Sequence, residues 1–145
     1  MARGYPDFFG YSVFSRPGNQ TIHVTGNKNV AAGIEWDLIT VAGRGSLIGG
    51  WIEGGTTTTP GSQWIMIYVE GNLIESNSIN TMLTYGESYD DGLLMGLNAY
   101  IPEIPVWEMR FTEGFVFNTE LKIAFWNNSA GPITVNSGIW YYLIS

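Results

Sequence analysis

Hydrophobic and polar residues alternate with a period of two in several short runs along the chain, and the period of an α-helix is almost absent. Short runs rich in β-branched and aromatic residues are separated by Gly, Asn, Ser and Pro, which is typical of strands joined by turns. In segment 31–40, for example, the alternation places Ile34, Trp36 and Leu38 on one face. The pattern predicts a protein built from β-strands.

The same criterion locates the individual strands. They are predicted at 20–26, 31–40, 46–54, 62–76 (a hairpin that turns near Glu70, Gly71 and Asn72), 79–86, 106–117 and, as two or three strands, 119–145. Segment 87–105 is interpreted as a loop because Asp90-Asp91-Gly92, Pro102 and Pro105 interrupt it, with room for one helical turn at 93–97.

The number and spacing of these strands predict the architecture. About eight or nine short strands are typical of an all-β, antiparallel two-sheet β-sandwich of jelly-roll-like type. We expect one such domain at 19–145, because no internal repeat or linker divides the chain. Residues 1–18 differ from the rest: they are aromatic, bounded by Pro6 and Pro17, and lack alternation, which indicates an N-terminal arm or an edge segment.

Composition narrows the classes of function. The 145 residues include no cysteine, which excludes disulfides, thiolate metal sites and a cysteine nucleophile. Charged residues form 13% of the chain, about half the usual share, and leave a net charge of −7. An acidic chain without a basic cluster is a poor candidate for binding nucleic acid or an anionic membrane. Surface with so few charges is suited to burial against other protein subunits.

The glycine-rich stretch 43–55 invites a phosphate-binding hypothesis, which its spacing rejects. A dinucleotide site needs G-x-G-x-x-G between a strand and a helix, but Gly49 follows Gly43 and Gly45 one residue too late and no helix is predicted next. The phosphate loop also lacks its Gly-Lys-Ser/Thr. We therefore expect a turn at Gly43–Gly45, and at Gly49–Gly50 a bulge or the close approach of another backbone or ring.

Catalytic and metal-binding candidates are few. His23 is the only histidine and alternates with Ile22 and Val24, so we expect it to project from the opposite face of its strand. The acids of segment 87–91 do not follow a calcium-loop spacing, and they offer fewer oxygens than calcium requires. They are Glu87, Asp90 and Asp91. We expect solvated loop acids there, and no cofactor or metal.

Two pairs of carboxylates are compatible with glycoside hydrolysis, which needs two acids at a defined separation in space. They are Glu35 with Asp37 and Glu108 with Glu113. The competing interpretation is that these acids are surface groups that keep a weakly charged fold soluble. The sequence leaves both interpretations open.

The tryptophans also admit two interpretations. All six fall inside predicted strands: Trp36, Trp51, Trp64, Trp107, Trp126 and Trp140. Because large rings dominate burial, we expect most of them in the core. The alternative is a sugar-binding platform, which requires at least two exposed Trp or Tyr rings in one plane.

Several segments resemble small virion proteins of tailed bacteriophages. The likeness lies in the opening GYPDFFGYSVF, in the strand pair at 43–55 and 65–74, and in the ending 115–144, where Phe-x-x-x-Leu-x-Ile leads to Asn-Asn and an aromatic strand. Such proteins are β-sandwich or jelly-roll modules that decorate capsids or form neck, tail and fibre parts, often as trimers. The resemblance includes no catalytic motif.

The resemblance implies a structural protein without enzymatic activity, located in the virion and assembled in the host cytoplasm. We expect a capsid decoration (cement) protein, homotrimeric, that docks on the major capsid protein or other virion proteins. The docking residues are predicted in the aromatic arm: Tyr5, Pro6, Asp7, Phe8, Phe9 and Tyr11. The alternative is a carbohydrate-binding module or the receptor-binding tip of a tail or fibre, with a glycan as ligand, and a glycosidase is the third hypothesis.

Overall fold

The computed structural model describes residues 21–55, 63–85, 94–104, 106–111 and 115–144. Within these ranges the chain forms ten strands and one short helix. They are β1 (Thr21–Val30), β2 (Glu35–Ala42), β3 (Gly45–Gly55), β4 (Gln63–Val69), β5 (Asn72–Ser78), α1 (Ile79–Tyr85), β6 (Met95–Ile101), β7 (Val106–Phe111), β8 (Phe115–Phe117), β9 (Glu120–Asn127) and β10 (Ile133–Leu143).

The strand pairs of the described chain are all antiparallel, and most of them nest inside one another along the sequence. Strand β1 pairs with β10, β2 with β9, β3 with β7 and β8, and β4 with β5. Nested pairs of this kind form one long two-stranded ribbon, and wrapping the ribbon over itself generates a jelly roll. The wrapping also brings β10 beside β3 and β9 beside β4.

Two sheets result from this pairing. One has six strands in the order β1-β10-β3-β7-β6, with β8 also paired to β3, and the other has four in the order β2-β9-β4-β5. The predicted all-β, two-sheet antiparallel sandwich of jelly-roll type is therefore confirmed. The described strands number ten: β6 and the short β8 add to the predicted set, while residues 79–85 leave it as a helix.

The core lies between the sheets and follows the alternation of the strands. In β7, Trp107, Met109 and Phe111 are buried, while Glu108 and Arg110 point away from the core, as predicted. Strand β9 contributes Leu121, Ile123 and Phe125 to the core from the opposite sheet. Fully burying each such apolar side chain contributes about 1.5–3 kcal/mol.

Trp107 connects the two sheets at the centre of this core. Its indole N–H donates to Gln63 Oε1 at 2.7 Å, and its ring stacks on Phe125 with centroids 6.0 Å apart. On its own sheet the ring lies against Gly54, where a Cβ atom would sit 2.6 Å from Trp107 Cζ2. Glycine at position 54 therefore provides the space that the indole fills.

Gly43 and the pair Gly49–Gly50 behave as the spacing predicts, whereas Gly45 is the first residue of β3 and not part of the turn. Gly43 has a φ of 119° and forms the turn between β2 and β3. A Cβ at Gly50 would meet the carbonyl oxygen of Gly138 at 2.8 Å, so the backbones of β3 and β10 approach closely there. The register of the same pair shifts opposite Trp140, which is a bulge.

Two predicted elements are wrong. Residues 79–85 form the helix α1 and not the predicted strand, because the Ser78 hydroxyl accepts the backbone N–H of Thr81 at 3.0 Å and caps the first turn. Ile79 and Met82, three residues apart, are then buried together on one helix face. Segment 87–105, interpreted as a loop with room for a helical turn at 93–97, contains the strand β6 from Met95, whose register shift between Leu97 and Ala99 hides the alternation.

The face predicted for segment 31–40 is also only partly correct. Ile34 precedes β2 and is exposed, whereas Trp36 packs against the core. A register shift between Asp37 and Ile39 then buries Leu38 and Ile39 in succession. A bulge of this kind is not visible in a strictly alternating pattern.

Glu70 joins two turns at one end of the sandwich. It lies in the β4–β5 turn with a φ of 54°, followed by Gly71 at 76°, which is the pair of positive angles that a tight hairpin turn requires. Its carboxylate accepts the backbone N–H groups of Asn118 at 2.7 Å, Thr119 at 2.9 Å and Glu120 at 3.2 Å in the β8–β9 turn. The hydrogen bond from Asn118 has the largest effect and, with the other two, lowers the pKa of the Glu70 carboxyl group. Desolvation acts in the opposite direction but does not cancel this effect.

We predict that Gly54→Ala lowers the free energy of unfolding by about 1–3 kcal/mol, because the new methyl group meets the buried Trp107 ring. Urea denaturation measures the change. Gly131→Ala is the matched control, since a Cβ there meets nothing within 4 Å. An equal loss of stability in both variants would contradict the proposed contact.

We predict that Glu70→Gln destabilises the protein at neutral pH, because an amide cannot accept all the N–H groups that the carboxylate holds. The lowered pKa means that the stabilisation is present above a pH of about 4.5 and is lost as the pH falls through the folded-state pKa. Thermal unfolding as a function of pH should therefore show a steeper acid limb for the wild type than for Glu70→Gln. Glu103→Gln, at an exposed turn, should leave that limb unchanged.

Candidate functional site

The surface of the sandwich is unusual because several tryptophan rings lie on the outer faces of the sheets. Only Trp107 is fully buried, and Trp36 packs against the core from β2. The other four are half-buried and lie on the outer faces of the sheets: Trp51 and Trp140 on the six-stranded sheet, and Trp64 and Trp126 on the four-stranded sheet. The prediction that most tryptophans lie in the core is wrong for these four.

Their outward placement follows from the register. Cross-strand partners project to the same side of a sheet, and Trp51 is paired with exposed Arg110 while its neighbour Ile52 is paired with buried Met109. Trp140 likewise follows the buried Ile139. Strict alternation in the sequence could have revealed this arrangement, but the size of the indole ring favoured a core assignment.

The outer face of the six-stranded sheet carries a group of aromatic rings. His23 and Trp140 are cross-strand partners, and their rings stack with centroids 4.1 Å apart and planes 5° apart. Trp51 lies over Gly138, two residues before Trp140, where a Cβ would sit 2.7 Å from the Trp51 Nε1 atom. We call this outer surface, with His23, Trp51 and Trp140, the aromatic face. The prediction that His23 projects opposite to its apolar neighbours is confirmed.

A row of polar side chains crosses the aromatic face beside the rings. Asn136 Nδ2 donates to Glu53 Oε1 at 3.1 Å and its amide oxygen accepts a hydrogen bond from Asn27. On the far side of Glu53 lies its cross-strand partner Glu108. Glu108 Oε1 accepts hydrogen bonds from Arg110 Nε at 2.8 Å and from Asn98 Nδ2 at 2.9 Å.

The outer face of the four-stranded sheet has a different chemistry. Trp64 and Trp126 are cross-strand partners, and the next pair, Met66 and Ala124, is buried although its strand positions point outward. The Tyr68 hydroxyl lies 3.5 Å from the Met66 sulfur. This face is therefore mainly apolar at its centre.

Lys122 forms the polar border of that face. Its Nζ lies 3.0 Å from Asp37 Oδ1, 3.1 Å from Glu35 Oε1 and 4.9 Å from the centre of the Tyr68 ring. The hydrogen bond to Asp37, followed by that to Glu35, raises the pKa of Lys122. The structure thus brings the predicted pair Glu35 and Asp37 together, but as partners of one lysine.

Within the described residues, apolar side chains are exposed at or beside one edge of each sheet. Strand β5 ends the four-stranded sheet and exposes Leu73 and Ile74, and β6 ends the six-stranded sheet. Ile101 and Val106 are exposed cross-strand partners in the β6–β7 hairpin, with Ile104 exposed in its turn. Helix α1 contacts both β5 and β6, so the two edges lie on the same side of the sandwich. We call these five residues the apolar edges.

Several predicted site residues lie outside the described chain. They are the arm residues Tyr5, Pro6, Asp7, Phe8, Phe9 and Tyr11, the loop acids Glu87, Asp90 and Asp91, and Glu113, the predicted partner of Glu108. Among the residues that the structure describes, no group of three or more His, Asp or Glu side chains is placed to hold a metal ion. No helix in those ranges is long and apolar enough to cross a membrane.

Comparison with known proteins gives distant likenesses only. No protein-family model and no curated protein matches the chain. The crystal structure of FlhE aligns at 12% identity with a TM-score of 0.36, covering 88% of this chain and 99% of that one. The infectious bursal disease virus VP2 subviral particle aligns at 12% identity with a TM-score of 0.28, covering 88% of this chain and 42% of that one.

We predict that the outward tryptophans account for the fluorescence that a neutral quencher can reach. Trp140→Phe and Trp64→Phe should each reduce the acrylamide-quenchable fraction, because both rings are half-buried on outer faces. Trp107→Phe should leave the quenchable intensity unchanged and so raise that fraction, since its ring is fully buried. A quenchable component that disappears with Trp107 would contradict the arrangement.

Proposed function

We propose that the protein is a structural component of a tailed-phage particle, without enzymatic activity, and that it acts as a capsid decoration protein. In this proposal it is a homotrimer in the virion, assembled in the host cytoplasm, and it docks on the major capsid protein or another virion protein. The observation that carries the proposal is the presence of the apolar edges on a weakly charged sandwich.

Free edge strands with apolar side chains are sites where further chains pair or pack. Such edges are normally protected by charges, prolines or bulges, since unpaired backbone groups invite association. Here Leu73 and Ile74 are consecutive and exposed on β5, and Ile101 and Val106 face solvent together near the edge of the other sheet. Burial of these side chains in an assembly would remove the exposure that the isolated domain retains.

The jelly-roll topology is compatible with this role but does not decide it. The architecture occurs in viral capsid domains and in lectin domains, and function is carried by surfaces and sites on a fold. The proposal therefore depends on the apolar edges and on the virion-protein resemblance of the sequence, with the aromatic arm at 1–18 as the predicted docking element.

The mechanism is one of binding. A protein that docks only on the assembled lattice stabilises that lattice by mass action, because dissociation of the lattice must also break the new contacts. No bond is made or broken in this scheme. The two acids Glu35 and Asp37 are accordingly assigned a structural role as the partners of Lys122.

We predict that deletion of residues 2–16 abolishes incorporation into particles while the domain remains folded. The protein would be supplied in trans to particles that lack it, and incorporation measured by gradient sedimentation with immunoblotting. Circular dichroism and the melting temperature establish that the truncated chain is folded. Undiminished incorporation of the truncated protein would remove the arm from the proposal.

The oligomeric state provides the control for the edges. Light scattering after size-exclusion chromatography should give a trimer for the wild type. Ile104→Asp introduces a charge into the apolar β6–β7 turn and should dissociate the trimer. Ala130→Asp introduces the same charge at an exposed turn between β9 and β10 and should leave the trimer intact. A stable wild-type monomer that also fails to enter particles would overturn the proposed function.

A further inference from the structure

The aromatic face has features that the proposed assembly does not use. Its stacked pair, His23 and Trp140, lies on neighbouring strands whose ordinary separation is about 4.8 Å, close to the 4.1 Å between the ring centroids. The two rings therefore stand side by side across the strands. On the other side of Trp140 the cross-strand partner is Gly49, which has no side chain to cover the indole.

Trp51 adds a second indole to the same surface. It packs over Gly138, and this glycine allows the ring to lie close to the backbone of β10. Trp140 follows Gly138 by two residues on the same strand, so both indoles occupy one region of the outer face. Apolar ring faces that are held in place but remain half-exposed suit the C–H faces of a sugar ring, which bury well against an aromatic surface.

The row of polar groups beside the rings includes an arrangement that does not help folding. Glu53 and Glu108 are directly opposite each other on β3 and β7, and like charges in that position are destabilising. Their described hydrogen-bond donors are Asn136 for Glu53, and Arg110 and Asn98 for Glu108. Each carboxylate has about four acceptor positions, so both retain capacity for donors from a ligand.

These groups specify the ligand chemistry. A ligand that lies on the rings and reaches Glu53 and Glu108 must be apolar on one face and carry several hydroxyl donors at its rim. The row contains two carboxylates and one arginine, which leaves it net negative and disfavours anionic ligands. A neutral saccharide has an apolar face, carries hydroxyl donors at its rim and bears no negative charge, so it satisfies all three requirements.

We infer that the aromatic face binds a neutral saccharide, with a sugar ring packed on Trp140 and Trp51 and with sugar hydroxyls donating to Glu53 and Glu108. Asn136 holds Glu53 in place through its 3.1 Å hydrogen bond and acts as a positioning residue. The site uses an outer sheet face and not the apolar edges, so it does not depend on the proposed role in a particle.

The first experiment is a glycan array probed with the full-length, labelled protein. The array contains neutral gluco-, galacto- and manno-oligosaccharides together with sialylated and sulfated oligosaccharides. We expect binding to neutral members only. Binding confined to anionic glycans, or no binding to any neutral oligosaccharide at concentrations up to about 10 mM in titration, overturns the inference.

The second experiment compares tryptophans on the two outer faces. Trp51→Ala and Trp140→Ala should each weaken binding of the strongest neutral oligosaccharide by about tenfold or more, since aromatic anchors dominate such contacts. Trp64→Ala and Trp126→Ala remove the same side chain from the four-stranded sheet and should stay within about twofold of the wild type. Equal losses on both faces, or a loss only with the control variants, overturns the assignment of the site.

Substitution of Glu53 tests whether this carboxylate binds the saccharide, because a purely structural role would leave the affinity unchanged. Glu53→Gln should weaken saccharide binding by about tenfold, because hydrogen bonds to a charged acceptor are the stronger ones. The same substitution removes the repulsion with Glu108, so the melting temperature should be equal to or higher than that of the wild type. Unchanged affinity, or binding that a chelator abolishes and calcium restores, overturns the proposed direct hydrogen bonds.

Discussion

The contact of Trp107 with both sheets is the interaction on which the described sandwich most depends. The indole belongs to β7 of the six-stranded sheet, yet it hydrogen-bonds Gln63 and stacks on Phe125 in the four-stranded sheet. Gln63 is in turn the cross-strand partner of Asn127, whose buried amide donates to the Val30 carbonyl at 2.8 Å. A series of contacts therefore connects the fully buried Trp107 ring, through the buried amides of Gln63 and Asn127, to the end of β1.

Glycines supply the space that such rings need, inside and outside the core. Gly54 makes room for Trp107 within the core, and Gly138 makes room for Trp51 on the aromatic face. Gly26 does the same for Trp36, whose Cη2 atom lies 2.9 Å from the place of an added Cβ. Glycines within strands normally weaken a sheet. Here the loss is offset by the burial of an indole surface against the exposed backbone.

Much of the fold was predictable, because alternation is a direct record of which face a strand buries. Strand β7 illustrates this, since Trp107 and Met109 are buried as the pattern requires. The errors arose where a local interaction overrode the pattern. The Ser78 cap begins a helix at residues 79–85, where a strand was predicted, and the bulge near Asp37 displaces the alternation of β2.

The candidate site was harder to predict, because it depends on pairs that are remote in sequence. His23 and Trp140 stack across β1 and β10, and Glu53 meets Glu108 across β3 and β7. The alternation around Trp51 and Trp140 already placed both side chains on the outward face of their strands. The size of the rings, however, was given more weight than their position in the alternation. The pair Glu53 and Glu108, which the register creates, was not among the carboxylate pairs chosen from the sequence.

The two proposed activities use different surfaces of one sandwich, and that separation has a structural cause. In a two-sheet fold the edges lie at the sides, and the outer faces lie above and below. Burial of Leu73 or Ile101 at an edge would therefore leave the aromatic face on the outside of an assembly. A lattice that presents many copies of such a face binds a saccharide-covered surface more strongly than a single copy does, because each further contact is made at high effective concentration. Even weak binding by each saccharide site would then hold a whole particle at that surface.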